Sequence, residues 1–305
     1  MRARATRGVR ALVFLLAAAV AAASAPPMAP LASAAASAPL TLPLKQGSFR
    51  FAVIGDSGTG TGAQNELARL LTEWRADFPF ELVVMMGDNI YGRDDPRDYS
   101  KKFEEPYRSL LDAGVKFYAT LGNHDDPKQR FYEKFNMGGE RYYSFKAPKG
   151  GVRFFALDSN YMDKKQLDWL EKELQASGSD WKICFFHHPL YSSGMKHGPS
   201  EELRTVLEPL FVKHGVDLVL QGHEHFYERL QPQHDIHYFI SGAAGQLRRG
   251  NIGKSELTAS GFDEDLSFIL MEIAGDELYF QTVSRAGKTV DSGSFKRPPE
   301  PKKNG

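Results

Sequence analysis

Five short apolar runs in this chain, at 51–54, 82–86, 117–120, 181–186 and 216–220, each lead straight into a polar loop that holds Asp, Asn or His. The loops carry Asp56, Asp88 with Tyr91, Asn123 with His124, His187, and His223 with His225. Between the runs, apolar residues recur at helical spacing: Leu67, Leu70, Leu71 and Trp74; Leu167, Leu170 and Leu174; Leu203, Val206, Leu207, Leu210 and Phe211. Asp163, followed three residues on by Gln166, predicts a helix start. Strand and helix in alternation predict an α/β fold. In such folds ligands gather outside the carboxyl ends of the strands, so loops far apart in sequence meet there.

Beyond residue 236 the helical spacing stops, and runs at 236–241, 266–273, 278–284 and 289–295 predict strands that close the sheet system. Neither an internal repeat nor a linker interrupts 48–296, which is expected to be one catalytic domain, with a disordered tail at 297–305. At 305 residues, 42% hydrophobic and 25% charged, the chain has an ordinary globular composition and can bury a sizeable core. Its single cysteine, Cys184, excludes an intramolecular disulfide, a cysteine-cage zinc site and an iron–sulfur cluster. Set among apolar neighbours, that thiol reads as a small buried hydrophobe.

Residues 1–38 read as a signal peptide and an Ala/Ser/Pro-rich leader. Arg2, Arg4, Arg7 and Arg10 precede a 13-residue apolar run, 11–23, and small-residue triplets such as Ala32-Ser33-Ala34 follow. The run is short for a membrane span, which needs about 20 residues, so no stable membrane anchor is expected after signal removal, and the destination is secreted or periplasmic. Without those four arginines, 34 basic residues face 38 acidic ones, a balance near −4. That gives a sequence-independent affinity for nucleic acid no support. No obligate protein partner is evident.

Carboxylates, imidazoles, an amide oxygen and a phenol form a hard O/N donor set suited to first-row metals. Taken singly, each loop motif is common and a lone histidine is more often structural; five in order point to a metal site. The series Gly55-Asp56-Ser57-Gly58, Gly87-Asp88-Asn89-Ile90-Tyr91, Gly122-Asn123-His124-Asp125, His187-His188-Pro189 and Gly222-His223-Glu224-His225 resembles the calcineurin-like metallophosphoesterase superfamily. Within it the match is to the purple acid phosphatases of the small, tartrate-resistant type, over about 49–295. The resemblance implies the metallophosphoesterase fold, a four-layer αββα sandwich of two mixed β-sheets flanked by helices. It also implies a binuclear centre of Fe(III) with a divalent ion, Fe, Zn or Mn. Asp56, Asp88, Tyr91 and His225 would hold the first ion, and Asp88, Asn123, His187 and His223 the second, with Asp88 bridging. Most of the superfamily has Asp-x-His in the first motif, whereas Gly58 stands here at the histidine position, and Tyr91 is expected to replace the lost ligand. His124 and His197 correspond to the histidines that meet the substrate phosphate and act as acid. His223 and His225 are expected on one side of an extended segment, with Glu224 turned away as a structural or solvent-facing acid, and His188 as structural support.

Such a centre neutralises phosphate oxygens and supplies hydroxide at low pH. The expected function is an exported acid phosphatase, a hydrolase of phosphomonoesters working on small-molecule phosphate esters by direct attack of a metal-bound hydroxide. A phosphodiesterase or nucleotide pyrophosphatase with the same centre is the alternative. Iron-dependent peroxide chemistry and non-enzymatic phosphate binding are the remaining readings from other classes. The long loop that mammalian small enzymes cleave on activation is absent between Asp158 and Asp163, so no processing beyond signal removal is expected.

Overall fold

A computed structural model describes residues 38–297; the expected signal peptide and leader up to residue 37 and the expected disordered tail beyond 297 lie outside the described residues. In chain order the elements are β1 (Phe49–Ile54), α1 (Gly62–Asp77), β2 (Leu82–Met85), α2 (Pro96–Tyr99), a π-helical turn (Ser100–Glu104), α3 (Arg108–Asp112) and β3 (Lys116–Ala119). Then follow β4 (Tyr143–Lys146), β5 (Val152–Ala156), α4 (Lys164–Ala176), β6 (Trp181–Phe185), α5 (Glu201–His214), β7 (Leu218–Gln221) and β8 (Tyr227–Leu230). The last elements of the described residues are all strands: β9 (His237–Ser241), β10 (Thr258–Phe262), β11 (Ser267–Ala274), β12 (Glu277–Ser284) and β13 (Thr289–Lys296).

These strands form two mixed sheets. One has the order β13-β12-β11-β1-β2-β3, the other β10-β8-β9-β7-β6-β5-β4. In the first, β1, β2 and β3 run parallel, with Phe51 beside Leu82 and Val83 beside Phe117. In the second, β5, β6, β7 and β9 run parallel, with Phe154 beside Ile183 and Leu218 beside His237.

The period of two along each strand explains the layering. Phe51 and Val53 of β1 face the second sheet and pack with Phe154, Ile183, Phe185 and Leu220. Ala52 and Ile54, one position over, face outward and pack with Leu67, Leu71 and Trp74 of α1. On the far side of the second sheet, Phe155, Cys184 and Val219 meet Leu170 and Leu174 of α4 and Leu203, Leu207 and Phe211 of α5. Three apolar clusters between four layers make the αββα sandwich. Strands buried on both faces read as continuous apolar runs, which is why β1, β2, β6 and β7 stand out in the sequence. β4 and β10 lie at sheet edges, half exposed, and carry no such signal; β5 and β8 are also absent from the sequence reading.

α4 begins where the Asp163–Gln166 spacing puts it. The Asp163 carboxylate accepts the Gln166 N–H at 2.8 Å. Asp163→Ala is expected to lower the stability of the fold by about 1 kcal/mol, the usual value of such a cap, measured as a shift in the urea midpoint at constant slope. In α5 the inward stripe is narrower than the spacing suggests. Leu203, Leu207 and Phe211 are buried, while Val206 faces outward. Among the described residues no helix is long and apolar enough to cross a membrane.

Candidate metal centre

The parallel strands of both sheets point their carboxyl ends the same way, and the five polar loops meet there. Contacts between backbone and side chain are among those that join the sheets at this end. The His223 N–H donates to Asp56 Oδ2 at 2.9 Å, and His187 Nδ1 lies 2.8 Å from the Met86 carbonyl. Since a carbonyl only accepts, Nδ1 of His187 carries the proton and its lone pair sits on Nε2.

Close approach of backbone is what allows the loops to meet. A Cβ on Gly122 would lie 2.1 Å from Asp88 Oδ1, and one on Gly222 would lie 2.6 Å from Asp56 Oδ2. Asp56, Asp88 and His223 themselves have φ of 54°, 50° and 68°, the left-handed region that non-glycine residues avoid. Such strain gathers at sites that bind or react. His223 to Phe226 forms a bend, not the extended segment expected from the sequence, so the left-handed turn at His223 and not strand alternation separates the two imidazoles.

On one side, Asp56 Oδ1 lies 3.3 Å from the Tyr91 hydroxyl and 3.4 Å from His225 Nε2, which is 3.3 Å from that same hydroxyl. Ligand atoms of Asp56, Asp88 and His225 all fall within 4.8 Å of one another. On the other side, His187 Nε2 lies 3.0 Å from Asn123 Oδ1, 3.1 Å from His223 Nδ1 and 3.5 Å from Asp88 Oδ1. The seven side chains expected to hold metal are therefore together, and Asp88 stands between the two groups.

Two features of this cluster fit a cation. The lone pair of His187 Nε2 faces two oxygen acceptors, Asn123 Oδ1 and Asp88 Oδ1. Asp88 Oδ2 is buried and has no hydrogen-bond partner among the described residues. Burial first, and then the charge of Asp88, pushes the Asp56 carboxyl well above the usual carboxylate range. Burial, followed by neighbouring imidazoles, holds His187 well below its ordinary value and takes His223 down to about 2. Burial, followed by the Arg248 charge, takes His225 to about 4. The imidazoles are thus neutral donors, and the buried carboxylates lack a counter-charge. Tyr91 is pushed up by burial and then by Asp56, so its phenol ionises only against a cation.

Gly58 explains the departure in the first motif. A Cβ there would lie 1.9 Å from the Asn89 carbonyl oxygen, and the Tyr91 N–H donates to the Gly58 carbonyl at 2.9 Å. No side chain fits at position 58 on this backbone, and the same loop contact presents Tyr91.

Two of the histidines outside the ligand set, His124 and His197, flank it. His124 donates its backbone N–H to Asp88 Oδ1 at 3.0 Å, and its ring stands 5.2 Å from that of Tyr91. The His197 ring lies 4.4 Å from the His223 ring. Burial, then the charges of Arg248 and Lys196, lowers the pKa of His197.

Three supporting residues carry roles that the sequence does not reveal. Asp125 accepts the Ile90 N–H at 3.0 Å, the Gly122 N–H at 2.8 Å and the Asn89 amide at 2.9 Å, tying the loops after β2 and β3 together. Its place in the Gly122–Asp125 motif was the available signal. Ser159 Oγ lies 2.9 Å from His188 Nδ1. His188 is therefore engaged on that nitrogen, although it lies with His187 and His223 within the same 4.8 Å span. Glu224 is wholly buried, which rules out the solvent-facing reading. It accepts the His197 and Gly198 N–H groups at 3.2 and 2.7 Å and the Asn251 amide at 3.0 Å. It thereby pins the His197 loop to the loop of His223 and His225.

The fold and this cluster define a class, and sequence comparison gives the same one. The calcineurin-like phosphoesterase family model matches residues 49–227, more than half of the chain, and the chain belongs to that family. Among characterised relatives, tartrate-resistant acid phosphatase type 5 of Rattus norvegicus is 27% identical over 83% of this chain and 92% of its own. Purple acid phosphatase 17 of Arabidopsis thaliana is 28% identical over 68% and 71%. Solved structures with the same fold include GAP50, the anchor in the inner membrane complex of Plasmodium, at a TM-score of 0.74 and 20% identity over 83% of this chain and 90% of that one. Purple acid phosphatase PPD1 from yellow lupin superposes with a TM-score of 0.63 and 19% identity over 82% of this chain and 54% of that one.

Proposed function

We propose that this protein is an exported acid phosphatase that hydrolyses phosphomonoesters at a two-metal centre. Asp56, Asp88, Tyr91 and His225 would hold one ion, and Asp88, Asn123, His187 and His223 the other. The observation that carries the reading is the buried Asp88 Oδ2, without a hydrogen-bond partner among the described residues, between the group of Asp56, Tyr91 and His225 and the group of Asn123, His187 and His223. When bound, a metal pair supplies positive charge for phosphate oxygens and an activated water. The chain's own part is to orient and to move protons. His187 is fixed as an Nε2 donor by the Met86 carbonyl, in the manner of second-shell partners that set ligand orientation. His124 and His197 flank the donors from opposite sides and are assigned to the substrate phosphate and to protonation of the leaving oxygen. A ferric ion at the Tyr91 side, with Fe, Zn or Mn beside it, suits a phenolate donor.

The test uses the purified protein after signal removal. It should contain about two metal ions per chain, hydrolyse an aryl monophosphate faster than the bis-aryl diester, and show a visible absorption band that Tyr91→Phe removes. A protein with two zinc ions and no colour overturns the ferric assignment, and preference for the diester overturns the monoesterase one. Export rests on the basic, apolar and small-residue order of residues 1–38. Fusing that segment to a periplasmic reporter should carry the reporter out of the cytoplasm, and retention inside overturns it.

A further inference from the structure

The loop after β9 brings Arg248 to the rim of the site. Its backbone N–H donates to the His225 carbonyl at 2.9 Å, which fixes the residue beside a proposed ligand. The guanidinium donates no hydrogen bond to any described residue; of its nitrogens, only Nη1 is both without a partner and cut off from solvent. Its nearest acid is Glu224, with Nη1 3.6 Å from Oε2. That is charge contact without a hydrogen bond. The Glu224 oxygens already accept from the His197 and Gly198 N–H groups and from the Asn251 amide. Glu224 therefore holds the guanidinium through Nη1 and leaves Nε and Nη2, which are not cut off from solvent, free.

A guanidinium has five donors in a fixed fork that matches phosphate and carboxylate. One kept in position with those donors unused, in a body with more acidic than basic residues, is built for an anion that arrives from outside. Its place decides which anion. Glu224 fastens Arg248 and the His197 loop to a single carboxylate, so the cation lies beside His197, one of the two histidines assigned to the leaving oxygen. The Arg248 charge acts on both His197 and His225, where it is the next cause after burial.

We propose that Arg248 forms a subsite for a second anionic group on the leaving side of the substrate, which makes compounds such as phosphoanhydrides and bisphosphates favoured over monoesters of neutral alcohols. The proposal rests on the phosphatase reading above. Glu224 is the positioning residue of this subsite and touches no substrate.

The experiment compares pyrophosphate with phenyl phosphate in the metal-loaded enzyme. In Arg248→Met the pyrophosphate-to-phenyl phosphate ratio of kcat/KM should fall at least about tenfold, the size of one charge-assisted hydrogen bond. Arg248→Lys should recover part of the ratio. Methylenediphosphonate, which is not hydrolysed, should lose inhibitory strength in Arg248→Met by a similar factor, while phenylphosphonate should lose less. Arg248→Gln keeps a donor opposite Glu224 and replaces the methionine variant if that one does not fold. An unchanged ratio, whether both substrates fall together or neither falls, overturns the subsite. Failure of the phosphatase reading looks different: the unmodified protein would then turn over neither substrate.

Discussion

Asp88→Asn should lower kcat/KM for an aryl monophosphate by at least about a thousandfold, a loss of roughly 4 kcal/mol in transition-state stabilisation. The same variant should retain less than one metal ion per chain by elemental analysis. Asparagine keeps an oxygen for the His124 N–H, which donates to Asp88 Oδ1, so the local backbone has no reason to move. It loses the anionic oxygen that has no hydrogen-bond partner among the described residues. In the metal-free state the expectation reverses. The charge of Asp88 is one of the causes that destabilise ionised Asp56, and removing it relieves repulsion between two buried carboxylates. Metal-free Asp88→Asn should therefore melt no lower than the metal-free parent. A variant that retains both ions and most of its activity, or one that unfolds without metal, contradicts the bridging role.

Gly58→His tests the opposite intuition. Most of the superfamily places a histidine there, so restoring it looks conservative. The Cβ of any side chain at 58 would meet the Asn89 carbonyl at 1.9 Å and the Ile90 Cα at 2.6 Å. Backbone on both sides leaves nothing flexible to give way, and the overpacking cost should reach about 3 kcal/mol or more. The outcome to look for is insoluble or weakly folded protein, with no gain in metal affinity. A soluble Gly58→His variant whose added imidazole binds metal would show that the loops of β1 and β2 can separate, against the hydrogen bond from the Tyr91 N–H to the Gly58 carbonyl.

Much of this architecture is legible from the sequence, for a physical reason. Strands buried on both faces must be apolar throughout, and helices that cover a sheet must carry a stripe, so β1, β2, β6, β7, α1 and α4 announce themselves. The seven proposed ligands were legible because each lies just past an apolar run: six follow strands buried on both faces, and Asn123 follows β3, partly exposed at its sheet edge. What stayed hidden depends on contacts between distant residues. Nothing local marks Glu224 as buried, since its burial comes from the His197 loop and Asn251 closing over it. The bend at His223 is also invisible, because a histidine with φ of 68° is held there by the Asp56 carboxylate and not by its own preference. Arg248 lies in a loop with no periodicity, and its importance rests on donors left unused. The edge strands β4 and β10 lack a second buried face, and so lack the signal.

The cluster draws its side chains from both sheets, with Asp56, Asp88, Tyr91 and Asn123 on one and His187, His223 and His225 on the other. Cations held between them would act as rivets through the sandwich. A species that binds only the folded chain stabilises it in proportion to the logarithm of its free concentration. The lifetime of this protein would then follow the metal-ion content of its surroundings, and a chelating environment would shorten it even where no substrate is present.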